Sequence, residues 1–100
     1  MATREINTAQ FDSEIATGKA IVDFSATWCG PCQMLAPIVE AVSEKHDDIK
    51  FLKVDIDNDM ELALRYKVMS VPTLIVFEDG EAVNKSIGLI SEEELEDLLK

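Results

Sequence analysis

The sequence predicts an α/β fold: one mixed β-sheet of four to five strands with four helices on its two faces. Three observations carry this reading. The segment Ala20–Ala26 is short and apolar apart from Asp23 and Ser25, as expected of a central strand covered on both faces. Beyond it, Leu35, Ile38, Val39 and Val42 are apolar at i, i+3, i+4 and i+7, which is one face of a helix. Nearer the C-terminus, Asp79-Gly80 separates two β-like runs and marks a hairpin. Alternating strands and helices imply parallel pairing through right-handed crossovers, and the hairpin adds an antiparallel part.

The elements follow in order. Arg4-Glu5-Ile6 reads as a short edge strand. Thr8 is the expected N-cap of a short helix that carries Phe11 and Ile15 on one face and stops at Gly18. After the central strand, Pro31 suits a first helical turn, where its missing N–H is not needed. That helix is expected to run to about His46, bent at Pro37 by the loss of one backbone bond. Lys50–Ile56 is the next strand, and Asp57-Asn58-Asp59 offers capping groups for a short helix bearing Leu62, Ala63 and Tyr66. Val68 to Pro72 is a loop into the strand Thr73–Glu78, and Glu81–Ile87 returns antiparallel until Gly88. Ser91 with Glu94 is a capping box, Glu92 to Glu94 suit the positive end of the last helix, and Leu95, Leu98 and Leu99 are its buried stripe.

Composition narrows the function classes. One hundred residues, 1–100, make one domain large enough for a core without staples. A net charge of −11, from 20 acids against 9 basic residues, disfavours nucleic acid and anionic membranes, and its ordinary meaning is solubility. No apolar run reaches transmembrane length. The start Met1-Ala2-Thr3-Arg4-Glu5 has no apolar leader core, so the expected location is cytoplasmic. In that reducing compartment a cysteine pair is catalytic or metal-binding rather than a staple. Zinc needs four ligands and there is no second pair, so no metal is expected; His46, the only histidine, is expected to be a solvated helix-end residue.

The chemistry concentrates in Trp28-Cys29-Gly30-Pro31-Cys32, at the predicted strand-to-helix join. Cysteines three apart at a helix start lie on one side of the first turn and reach disulfide distance with little strain. Cys29, ahead of the helix, is expected to be exposed beside Trp28, and Cys32, inside the turn, to be more covered. Unpaired N–H groups and the helix dipole favour a thiolate at Cys29, which makes it the attacking sulfur and Cys32 the resolving one. Asp23 lies mid-strand in an apolar run. It is either a buried carboxyl with a raised pKa, able to relay a proton to or from Cys32, or a solvent-facing strand-end residue. Lys53 either faces Asp23 or points to water. Val71-Pro72 precedes a strand, and Trp28, Met69 and Val71 are candidate core residues.

With these residues set out, the chain resembles the thioredoxin family. Val22-Asp23-Phe24, Ala26 to Cys32, Pro37, Lys53-Val54-Asp55-Ile56-Asp57, Val71-Pro72-Thr73, Asp79-Gly80 and Gly88 fall in that family's order and spacing over essentially the whole chain. The resemblance implies a thioredoxin fold and a protein disulfide reductase with a reversible Cys29–Cys32 disulfide. It implies that Asp23 is the buried proton-transfer carboxylate with Lys53 nearby, and that Pro72 is cis against the disulfide. Trp28, Gly30, Pro31, Ser70, Val71, Pro72 and Gly88 would receive substrate. No cofactor would be bound; an NADPH-dependent thioredoxin reductase would recycle the disulfide, disulfide-bearing proteins would be the substrates, and the chain would act as a monomer. Two departures stand out. Ser25 occupies a position where many members carry a second tryptophan, and Gln33 replaces a common lysine, removing a positive charge near Cys29. The rival readings are a glutaredoxin-like enzyme, against which Gly30-Pro31 and Asp23 argue, a binding subunit of the same fold, and an oxidase or isomerase.

Overall fold

A computed structural model describes residues 3–100; Met1 and Ala2, part of the leader-free reading of the N-terminus, lie outside the described residues. The chain forms β1 (Thr3–Glu5), α1 (Thr8–Ile15), β2 (Lys19–Ser25), α2 (Gly30–Ser43), β3 (Ile49–Asp55), α3 (Met60–Arg65), β4 (Thr73–Glu78), β5 (Glu81–Ile87) and α4 (Glu92–Leu98). The element order is the expected one. β4 and β5 have the expected bounds, whereas β1, β2 and β3 each begin and end one residue earlier. The five strands form one sheet in the order β1-β3-β2-β4-β5. β3 is parallel to β1 and β2, and β4 runs antiparallel to both β2 and β5.

Side-chain alternation along β2 divides the core in two. Val22 and Phe24 join Phe11 and Ile15 of α1 and Leu62 of α3 on one face. Ile21 joins Leu35, Val39 and Val42 of α2, Leu95 of α4 and Leu99 just past its end on the other. Asp23 and Ser25 alternate with Phe24 and therefore share the α2 face. Every residue from Ala20 to Ser25 is buried, as a strand with neighbours on both edges and helices on both faces must be.

Local chemistry corrects several expected boundaries. Asn7, not Thr8, caps α1: its side chain accepts the Gln10 N–H and the Gln10 side chain returns to the Asn7 N–H, a reciprocal box. Asp59 makes no cap bond to α3; its Oδ1 accepts the Thr8 N–H and hydroxyl, both at 2.9 Å, and ties the starts of two helices together. α2 stops at Ser43, before His46, and keeps Pro37 inside it. His46 is half-buried, with Nε2 2.6 Å from Glu96 Oε1, so it joins the end of α2 to α4 instead of standing in solvent. The hairpin forms as read, with positive φ at Asp79 (50°) and Gly80 (88°). The Ser91–Glu94 box caps α4.

The first core is built around Phe77, whose ring meets Phe11 at 5.7 Å and Tyr66 at 5.3 Å, both edge-on. Phe77→Ala removes both contacts and leaves a cavity, with an expected loss of about 3–5 kcal/mol. Denaturant unfolding of the oxidised protein measures it, and a loss under about 1 kcal/mol would show that this cluster collapses around the gap.

Candidate active site

The site is the junction between β2 and α2. β2 ends at Ser25, and Cys29 is the N-cap of α2 with extended backbone (φ −90°, ψ 114°). Cys32 falls in the first helical turn, its Cα 5.3 Å from that of Cys29, and the two sulfurs form a disulfide. The Cys32 N–H donates to Cys29 Sγ at 3.2 Å, so the sulfur fills the capping place that a Ser or Asp oxygen takes elsewhere. Pro31 sits in the first turn without loss, because its position has no intrahelical donor to give up.

Cys29 departs from expectation. It is 4% exposed and Cys32 2%, so both sulfurs are covered. The cover comes from a distant loop: Ala26, Cys29 and Cys32 cluster under Val71 and Ile56, and the Val71 carbonyl oxygen lies 3.7 Å from Cys29 Sγ. The Val71–Pro72 peptide is cis. Thr73 donates its hydroxyl to the Ser70 carbonyl at 2.7 Å, and the Gly88 N–H donates to the Pro72 carbonyl at 2.8 Å. Gly88 has φ +95°, a conformation that side-chain-bearing residues rarely adopt. Val71 is thus held against the disulfide, with Ser70, Pro72 and Gly88 tied to the same loop at the start and end of the β4–β5 hairpin. Trp28, Gly30 and Pro31 stand exposed beside it. Trp28 is 68% exposed yet held, its Nε1–H donating to Asp57 Oδ2 at 2.7 Å. Met69 is 95% exposed and is not a core residue.

Asp23 is buried, and one of its carboxyl oxygens, Oδ1, has no hydrogen-bond partner among the described residues. Burial pushes its pKa from 3.8 up to about 6, against a smaller opposing pull from the Lys53 ammonium. Lys53 is the register partner of Asp23 across the parallel β2–β3 pair and is half-buried, which resolves the choice between facing Asp23 and facing water. A cleft of about 240 Å³ runs beside Cys32, between α2 and the strands, with Ser25 and Lys53 in its walls. A second cleft, of about 330 Å³, shares Glu5, Ala36 and Lys53 with the first and reaches Asp23. Among the described residues no group of three or more His, Cys, Asp or Glu is placed to hold a metal ion. No helix among them is long and apolar enough to cross a membrane.

Sequence reasoning did not single out Ile56, Asp57 or the Ser25 cleft as parts of the site. A signal existed for the first two. β3 runs parallel to β2, so the residues that follow each strand emerge at the same sheet end, and Ile56 N–H donates to the Ser25 carbonyl at 2.9 Å. The cleft had only the small side chain at 25 to announce it.

The family model described as Thioredoxin matches residues 2–100. The thioredoxin of Staphylococcus epidermidis is 46% identical over 100 residues, covering 99% of this chain and 96% of that protein. The thioredoxin of Staphylococcus aureus is 44% identical with the same coverage. Among solved structures, Malassezia sympodialis thioredoxin superposes with a TM-score of 0.90 at 28% identity, over 99% of this chain and 91% of that one. A point mutant of the Halobacterium salinarum thioredoxin superposes with a TM-score of 0.89 at 39% identity, over 97% and 87%.

The carboxyl of Asp23 makes stability depend on pH in a defined sense. Its folded pKa lies above the unfolded value, so the folded state holds the proton more tightly and is favoured while the group is protonated. That advantage is complete below about pH 4 and disappears as pH rises to about 6, a difference of about 3 kcal/mol. Asp23→Asn is therefore expected to unfold later than the parent in denaturant at pH 7, with the gap closing at pH 4. Equal stabilities at pH 7 would rule out a desolvated carboxyl.

Proposed function

The chain belongs to the thioredoxin family, and from that membership we propose that Cys29 attacks substrate disulfides and Cys32 resolves the mixed disulfide, within a single domain spanning residues 1–100. The protein is a thiol–disulfide oxidoreductase of the protein-disulfide-reductase kind with a redox-active Cys29–Cys32 pair. The observation that carries the division of labour is the cap contact: Cys29 Sγ accepts the Cys32 N–H at the positive end of α2. A thiolate there gains a charge-assisted donor as well as the helix dipole, whereas among the described residues no backbone N–H donates to Cys32 Sγ.

In the reduced protein, the Cys29 thiolate attacks one sulfur of a substrate disulfide. The substrate's other sulfur leaves as a thiolate and takes a proton. Cys32 then attacks Cys29 Sγ, closing the intramolecular disulfide and releasing the second substrate thiol, so one disulfide is reduced as another forms. Asp23 is the group that accepts the Cys32 proton in this reading. A buried carboxyl with a pKa of about 6 is close enough to neutrality to take and return a proton, and Lys53 across the strand pair favours its ionised form.

Substrate is received on Trp28, Gly30, Pro31, Ser70, Val71, Pro72 and Gly88. The Val71 carbonyl beside Cys29 suits an extended substrate segment that pairs strand-like with the loop. The substrates are disulfide-bearing proteins, with neither nucleic acid nor membrane as a partner. An NADPH-dependent thioredoxin reductase returns the disulfide to the dithiol, and the protein works as a cytoplasmic monomer with no bound cofactor.

Cys29→Ser is expected to abolish dithiol-driven reduction of insulin, read as turbidity, and a parental rate in that variant would remove Cys29 from the attacking role. Cys32→Ser is expected to accumulate a covalent mixed disulfide with substrate, seen by mass spectrometry; recovery of only the free chain would overturn the assignment. Oxidation of NADPH in the presence of a thioredoxin reductase tests the recycling step.

A further inference from the structure

The cleft beside Cys32 is not part of the substrate face: Trp28, Val71 and Pro72 are absent from its walls. One wall is α2, at Cys32, Gln33 and Ala36, and the other is formed by the strand side, at Ser25, Ala26 and Lys53. A gap between a helix and the ends of strands is a slot, and small side chains at 25, 26 and 36 keep it open. Its volume is about 240 Å³ and it is partly open to solvent, which leaves room for a flat two-ring group with one edge in water. Lys53 supplies a cation that attracts an aromatic face and gives an aliphatic group nothing comparable. The Ser25 hydroxyl, with the Glu5 and Asp55 carboxylates also lining the cleft, provides acceptors for an N–H. The adjoining cleft reaches the buried Asp23, whose Oδ1 is unpartnered.

We propose that this slot is a binding site for a flat aromatic group of indole size carrying an N–H donor, presented either as a free small molecule or as a tryptophan side chain of a partner. Its seat is against Cys32 and outside the surface that receives disulfide substrates, so both can be occupied at once. The proposal concerns the oxidised protein and is independent of which cysteine attacks.

Titration of the isotope-labelled oxidised protein with indole, followed by amide NMR, is expected to give saturable shifts at Ser25, Ala26, Ala36 and Lys53, with a Kd of about millimolar for so small a ligand. Cyclohexanol should bind about fivefold more weakly, having no aromatic face for Lys53. Ser25→Trp fills the slot from the strand side and Ala36→Leu from the helix side, and each is expected to abolish the shifts. Tighter binding of N-acetyl-tryptophanamide than of indole assigns the site to a partner side chain, and weaker binding assigns it to a free small molecule. Absence of saturable shifts in the parent, shifts centred on other residues, or undiminished binding in a folded filled variant would overturn the proposal. The parent titration decides alone if neither variant folds.

Discussion

Every part of the site is located by the pairing of β2 on both of its edges. From Ala20 to Ser25 the strand is covered above and below and bonded to β3 on one side and β4 on the other. A strand so enclosed has no freedom of register, because a slip of one residue would turn Val22 and Phe24 onto the α2 face and Asp23 onto the other. With Ser25 fixed, the few residues that follow must deliver Cys29 to the start of α2. The capping bond from the Cys32 N–H then sets the two sulfurs on one turn. The reactive pair is therefore an extension of the best-held strand in the molecule, not a feature of a loose loop.

The same enclosure imposes the chief electrostatic cost. Asp23 stands between apolar residues on the α2 face, and desolvation outweighs the favourable field of Lys53. A sequence designed for stability alone would place an apolar residue there. Local rules are most often broken where a site needs them broken, and a buried carboxyl with a pKa of about 6 is a break of that kind. Ser25, two residues on, is a second departure on the same face: where a bulky side chain would close the α2–sheet seam, a hydroxymethyl group leaves an open slot.

The disulfide is finished by residues far away in sequence. The loop ahead of the β4–β5 hairpin brings Val71 over the cysteines, and a backbone bond from Gly88 to Pro72 joins the two ends of the hairpin. This roof covers both sulfurs in the disulfide form while Trp28, Gly30 and Pro31 remain in solvent.

Much of this was determined by sequence alone. The order of the elements, the β4–β5 hairpin at Asp79-Gly80, the capping box at Ser91 and the position of Cys29 and Cys32 at a helix start follow from residues within a few positions of one another, where periodicity, turn conformation and capping act directly. Tertiary structure decided the rest. It engaged Asp59 with Thr8 and paired His46 with Glu96. It chose burial for Asp23, set Lys53 opposite it, hid Cys29 beneath Val71 and left Met69 in solvent. Those outcomes depend on which strand lies beside which and on what the loops cover. Burial and Coulombic energy are set by neighbours tens of residues away in the chain, so no local pattern encodes them.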